Sequence, residues 1–251
     1  MNRNDKTCWV VDLGLIGYEP AFELQRRLVA ARKADQVPDV LVVCEHPHVI
    51  TLGRNGHREN LLAPEHLLRQ MGVEFRPTDR GGDITYHGPG QIVGYPILNL
   101  AVIRRDVAWY VRQLEEAMIR TTAEFGITAT RKTGMTGVWV EGANGAAPEK
   151  LAAIGVHLSR WVTSHGFAYN VTTDLRYFDL IVPCGISDKR ATSLERLLGR
   201  GVKREEVASR VVARTGEIFG RELQAVPRES LEQFLAKAAS EEGAVTVHAS
   251  A

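Results

Sequence analysis

The sequence predicts an α+β fold, a mixed or largely antiparallel sheet flanked by helices. Three observations lead there. Segments rich in β-branched residues alternate with helical periods, but without the regular strand–helix–strand repeat of a parallel sheet. No internal repeat or linker divides the chain, and 251 residues can bury one sizeable core. Hydrophobic content of 44% and charged content of 24% are those of an ordinary globular domain rather than a disordered one. One domain is therefore expected over 1–251, with an ordered core at about 8–238 and a frayed C-terminal tail.

The elements follow in order. "CWVVDLG" (8–14) reads as a strand, and "PAFELQRRLVAARKA" as a helix with Pro20 at its start and apolar residues at 21, 24, 28 and 31 on one face. "VLVVCEHPHVITLG" (40–53) reads as strand, proline turn and strand; "PEHLLRQMG" (64–72) is a short helix ended by glycine. Residues 73–100 read as strand, glycine-rich connection and strand. A helix follows over 106–126, capped by Asp106, with Trp109, Leu114, Ala117 and Phe125 toward a core. "TGVWV" (136–140) and "KLAAIGVHL" (150–158) are two strands joined by a small polar loop, and 161–171 is a strand pair or a bend. Two helices close the chain on either side of Pro227.

A net charge of +1 gives no electrostatic argument for nucleic acid or a membrane surface. No apolar run approaches membrane-spanning length, and the N-terminus lacks the pattern of a secretory signal. Three cysteines without a CxxC pair suit reduced thiols in a cytoplasmic protein better than disulfides or zinc. His46 and His48, flanking Pro47, fit a turn with histidines bonded to backbone better than a metal site, so no metal is expected. The basic pairs 26–27, 104–105 and 131–132 read as solvated surface.

Two stretches carry potential chemistry. "RGGDITYHGPGQIVGYPI" (80–97) places glycines at 81, 82, 88, 90 and 94 around Tyr86, His87 and Gln91. It lacks both GxGxxG and GKS/GKT, so it is neither a dinucleotide fingerprint nor a P-loop. It is either a connection needing tight turns or a site where backbone approaches a ligand closely. In "IVPCGISDKRATSL" (181–194), Cys184 between Pro183 and Gly185 fits an exposed reactive turn or a buried inert thiol. Cys8 and Cys44 sit in apolar strand-like runs and read as inert. Lys150 opens an apolar strand; it either snorkels to solvent or, beside a cysteine, stabilises a thiolate.

These two stretches, together with "KLAAIGVHLSRWVTSHGFAYNV", resemble in order the signature segments of the octanoyltransferases of lipoate biosynthesis. "EHPHVITLGR" and "VVDLGLIGYEPAFELQ" fit as well, so the resemblance runs from about Trp9 to Leu198. It implies a biotin/lipoate protein ligase-type fold. It also implies octanoyl transfer from octanoyl-acyl carrier protein to a lysine of lipoyl domains, those of 2-oxoacid dehydrogenase complexes and of the glycine cleavage H protein. No cofactor is implied. Cys184 matches the acyl-thioester nucleophile and Lys150 the lysine that lowers its pKa. Arg80, Gly81, Gly82, Asp83, Ile84, Thr85, Tyr86 and His87 match the first acyl-binding segment. Ala153, Ile154 and Gly155 match the second, and Gly166, Phe167 and Ala168 the third. The base for the acceptor amine is left between His87 and Lys150. The competing activity on this fold is ATP-dependent lipoate or biotin ligation.

Overall fold

A computed structural model describes residues 6–142, 145–182 and 190–248, with side chains through residue 238. Cys184 and the turn expected around it lie outside the described residues, as do the side chains of the tail expected to fray.

The chain opens with β1 (Thr7–Leu15), α1 (Tyr18–Lys33) and β2 (Asp39–Glu45). β1 and β2 pair in parallel, which a helical crossover allows and a tight hairpin does not. Pro20 is the third residue of α1, within the turn where backbone N–H groups lack helical partners anyway. Next come β3 (Val49–Leu52), α2 (Glu65–Gln70), β4 (Glu74–Pro77), β5 (Ile84–His87) and β6 (Gln91–Ile97). The glycine-rich connection thus contains a strand of its own, β5, too short to show a period in sequence.

α3 (Leu100–Ile103) precedes α4 (Val107–Ala123), whose N-terminus is capped as expected: the Asp106 carboxylate accepts the Trp109 N–H at 2.8 Å. β7 (Thr130–Lys132), β8 (Met135–Val140), β9 (Glu149–Ser159) and β10 (Val162–Asn170) follow. The stretch expected as a strand pair or bend is mostly one strand, β10, joined to β9 by a two-residue turn at Arg160 and Trp161. The remaining elements are α5 (Leu194–Leu198), α6 (Arg204–Phe219), β11 (Glu222–Ala225) and α7 (Arg228–His248).

Among the described residues there are two sheets. The larger runs β11-β1-β2-β6-β10-β9-β8-β7, parallel across β11-β1-β2 and antiparallel beyond. The smaller runs β4-β3-β5. Strand alternation gives the large sheet two apolar faces. Leu41 and Val43 face a core with Leu114 and Met118 of α4 and Val207 and Val211 of α6. Val40 and Val42 face the opposite core, with Leu24 and Leu28 of α1 and Leu231 and Leu235 of α7. Each fully buried leucine contributes about 1.5–3 kcal/mol, so these faces dominate the fold's stability. A third core holds the small sheet to α2, with Ile50, Leu68, Ile84 and Tyr86.

Two corners carry the chain between the sheets. At Pro47 it leaves β2 in the large sheet for β3 in the small one; at Gly88–Gly90 it returns from β5 to β6. The corners are tied together, since the Gly90 N–H donates to the Glu45 carboxylate at 2.6 Å. This arrangement leaves a cavity between the sheets.

Candidate active site

The cavity measures about 370 Å³ and lies between β5 of the small sheet and β6, β9 and β10 of the large one. Its apolar lining includes Val93, Ile154, Phe167 and Ala168. Thr85 and His87 alternate along β5 and both face it. Tyr86, between them, turns the other way, stacks on Tyr177 at 5.1 Å and bonds His48 at 2.7 Å.

Close backbone approach makes the cavity's floor. The Gly81 N–H donates to the Val156 carbonyl at 2.9 Å, pinning the "RGG" turn against β9. A Cβ at Gly155 would meet the Gly81 carbonyl oxygen at 2.8 Å, so only glycine permits this packing. Gly82, at φ +88°, makes the turn itself.

The polar side chains form one ordered series. Arg80 is buried, and its Nη2 donates to the Thr51 carbonyl at 2.8 Å and to Thr51 Oγ1 at 2.9 Å. Thr51 Oγ1 lies 3.4 Å from His87 Nε2, and His87 Nδ1 lies 2.8 Å from Gln91 Oε1. Gln91 Nε2 donates to Asn170 Oδ1 at 2.9 Å, and Asn170 Nδ2 to the Thr192 carbonyl at 3.0 Å. Since Gln91 presents its oxygen to the imidazole, His87 carries its proton on Nδ1 and offers Nε2 as acceptor. Burial, reinforced by the neighbouring His46 and Arg80, lowers its pKa to about 3, so it is neutral at pH 7.

His46 behaves alike at the neighbouring corner. Its Nδ1 donates to the Ile16 carbonyl at 2.7 Å, the backbone bond expected of this turn, and its Nε2 accepts from the Tyr95 hydroxyl at 2.7 Å. Burial holds it at about 4. No group of three or more potential metal ligands occurs among the described residues.

Lys150 stands at one end of the cavity, its Nζ 4.6 Å from the centre of the Trp139 ring. Its backbone is bonded on both sides to the chain that follows the Cys184 segment. The Lys150 N–H donates to the Arg190 carbonyl and the Thr192 N–H to the Lys150 carbonyl, each at 2.9 Å. The other flank is held as well: the Val182 N–H donates to the Asn60 carbonyl at 2.8 Å. The Asn60 amide in turn donates to Asp83 at 2.6 Å. Cys8 and Cys44 are buried and free; burial pushes Cys8 up to about 12 and Cys44 higher still, so neither is a nucleophile.

Of the residues singled out from sequence, Arg80, Gly82, Asp83, Ile84, Thr85, His87, Lys150, Ala153, Ile154, Gly155, Gly166, Phe167 and Ala168 all line the cavity. Gly81 and Tyr86 pack behind it. Sequence reasoning missed Tyr18, Tyr95, His165 and Asn170 as lining groups. Helix and strand periodicity marks Tyr18 and Tyr95 as core positions, which they also are.

Comparison with known proteins agrees with this geometry. Residues 17–216 match the lipoyl protein ligase A/B catalytic domain family. The octanoyltransferase of Solibacter usitatus is 53% identical over 218 residues, covering 87% of this chain and 96% of the relative. That of Caldicellulosiruptor saccharolyticus is 44% identical over 225 residues, covering 89% and 93%. Among solved structures, a bi-partite lipoate protein ligase from Thermoplasma acidophilum superposes with a TM-score of 0.71 at 15% identity, over 92% of this chain and 91% of that one. Lipoate-protein ligase A bound with ATP superposes with a TM-score of 0.67 at 12% identity, over 93% of each. At such identities the structures establish the fold, and the sequence relatives establish the family. No helix among the described residues is long and apolar enough to cross a membrane. The chain has the lipoate protein ligase fold and belongs to the octanoyltransferase family of acyltransferases.

Proposed function

We propose that this protein transfers an octanoyl group from octanoyl-acyl carrier protein to a lysine of a lipoyl domain, through a thioester on Cys184. The observation that carries the proposal is the backbone pairing of Lys150 with residues 190–192 at one end of a cavity that has both an apolar lining and an ordered polar series. The segment bearing Cys184 begins and ends on cavity-lining structure. A lysine ammonium is held where that segment rejoins the sheet.

In the first step the Cys184 thiolate attacks the donor's thioester carbonyl, and the carrier's thiol leaves with a proton. In the second, the neutral acceptor amine attacks the enzyme thioester, an amide forms, and the thiolate departs. The first exchange is thioester for thioester and the second is downhill, so no nucleotide is needed. Lys150 would stabilise both thiolates by charge. Having given its proton to the departing carrier thiol, Lys150 is neutral in the acyl-enzyme and takes the proton shed by the acceptor amine, which an imidazole held at about 3 is too weak to do at neutral pH. His87 then acts as a fixed link in the polar series behind the acyl group. The acceptors would be lipoyl domains of 2-oxoacid dehydrogenases and the H protein. One catalytic unit in a reducing cytoplasm fits the buried free thiols.

The test is intact mass after mixing with octanoyl-acyl carrier protein. An octanoyl adduct is expected on the wild type and none on Cys184→Ala, with onward transfer to a lipoyl domain in the absence of ATP. Attachment of free octanoate that requires ATP would replace this reading with a ligase.

A further inference from the structure

At the end of the cavity remote from Lys150 stands His165. Register places it opposite Val156, six residues beyond Lys150 along β9, or roughly 20 Å at strand rise. It is 2% exposed, yet its backbone sits at φ +54° inside a strand. That conformation is strained for a non-glycine residue and persists only where surroundings enforce it. They do so on every side. The His165 N–H donates to Gln25 Oε1 at 2.8 Å, its ring stacks on Phe22 at 5.2 Å, and its Nε2 bonds Asp79 Oδ1 at 2.7 Å.

These three partners of His165 do not line the cavity. Asp79, Phe22 and Gln25 line a second groove of about 480 Å³, open to solvent beside α1. His165 therefore stands with the cavity on one side and the groove on the other, and its polar nitrogen is turned toward the groove. The His165 ring lines the cavity, and the side chains packed on it, Asp79, Phe22 and Gln25, line the groove.

We propose that His165, positioned by Asp79, is the plug that limits acyl chain length: it closes the far end of the acyl cavity and keeps longer chains from running into the groove. This rests on the cavity being the acyl site, the reading given above.

The variant His165→Asn shortens the plug while keeping a residue that tolerates positive φ and keeping the N–H to Gln25. The binding of free hexanoate, octanoate, decanoate, dodecanoate and tetradecanoate to wild type and variant, by calorimetry or thermal shift, reads the pocket without requiring turnover. Wild type should bind octanoate or decanoate best. In His165→Asn the preference for dodecanoate over octanoate should rise at least about tenfold, since each newly buried methylene is worth about 0.8 kcal/mol, or roughly fourfold. Asp79→Ala, which frees the ring without removing it, should shift the ranking the same way but less. The chain-length ranking is internal to each variant, so a general loss of stability lowers all affinities without reordering them. An unchanged ranking in both variants, with octanoate still bound, overturns the plug alone. Failure of wild type to bind any alkanoate overturns the acyl-site reading and the plug with it.

Discussion

The two ends of the cavity are built in opposite ways. The Lys150 end is held by main chain: one strand residue bonds on both sides to a segment some forty positions away in sequence, about where residues 190–192 rejoin the sheet. The His165 end is held by side chains and a strained backbone. Main-chain bonding fixes position whatever the side chain, so the near end can present whichever group the chemistry requires. Side-chain packing fixes shape, so the far end discriminates by size. On the proposed reading, reaction and selectivity rest on separate structural devices.

The largest expected effect breaks the near end. Lys150→Met keeps the stem and the backbone bonds but removes the charge. Without the ammonium, the Cys184 thiol should return toward about 8.5. Adduct formation from octanoyl-acyl carrier protein near pH 7 should fall roughly 10- to 100-fold and recover as pH rises. Lys150→Arg should retain a larger share. A loss that is equal at every pH would separate Lys150 from thiolate stabilisation. Alkylation offers a companion measurement. Iodoacetamide at pH 7.5 should label the native protein once, at Cys184, because burial raises the thiols of Cys8 and Cys44. Lys150→Met should slow that single labelling.

A middle-sized effect sharpens the boundary between the ends. Gly155 faces the Gly81 carbonyl so closely that an added Cβ would lie 2.8 Å away. Gly155→Ala should cost roughly 1–3 kcal/mol of stability by overpacking. Because it pushes the "RGG" turn away from β9, it should also weaken octanoate binding. The denaturation midpoint and alkanoate affinity measured together check this. Loss of stability with unaltered affinity would show that the turn does not shape the cavity.

How legible these ends were follows from how each is built. Helices α1, α4 and α6 announce themselves by period, because each buries one face against a large core, whereas β2 and β6, buried on both faces, announce themselves as continuous apolar runs. Strands β5, β7 and β11, of three or four residues, are not readable from the sequence; at that length no period shows, and β3 and β4, equally short, are placed only by the turn and glycine signals beside them. The sheet switch at Pro47 is also invisible in sequence, since proline marks a turn but not which sheet comes next. Lys150 and the glycine-rich segment stood out through a motif that runs along the chain. His165 did not. Its partner Asp79 is 86 positions away, its φ is unusual for any residue but glycine, and its neighbours "SHGF" read locally as ordinary strand.

The smallest effect concerns acid, and it involves the corner histidines rather than either end. His46 and His87 are buried and neutral, with pKa values depressed to about 4 and about 3 against about 6.5 in an unfolded chain. Below about pH 6.5 the unfolded state takes up protons that the folded state refuses, so stability falls as pH falls. The decline attributable to His46 should end near pH 4 and that of His87 near pH 3. Above about 6.5 neither group contributes a slope. His46→Gln can still donate to the Ile16 carbonyl and accept from the Tyr95 hydroxyl, but it cannot titrate. Its melting temperature should match or fall slightly below wild type at pH 7.5 and decline less steeply between pH 6.5 and 4.5. For a chain of this size each 1 kcal/mol corresponds to about 2–4 °C. Parallel declines in the two proteins would mean that water or a rearranged corner lets His46 protonate in place, so the corner would not be the dry junction its hydrogen bonds describe.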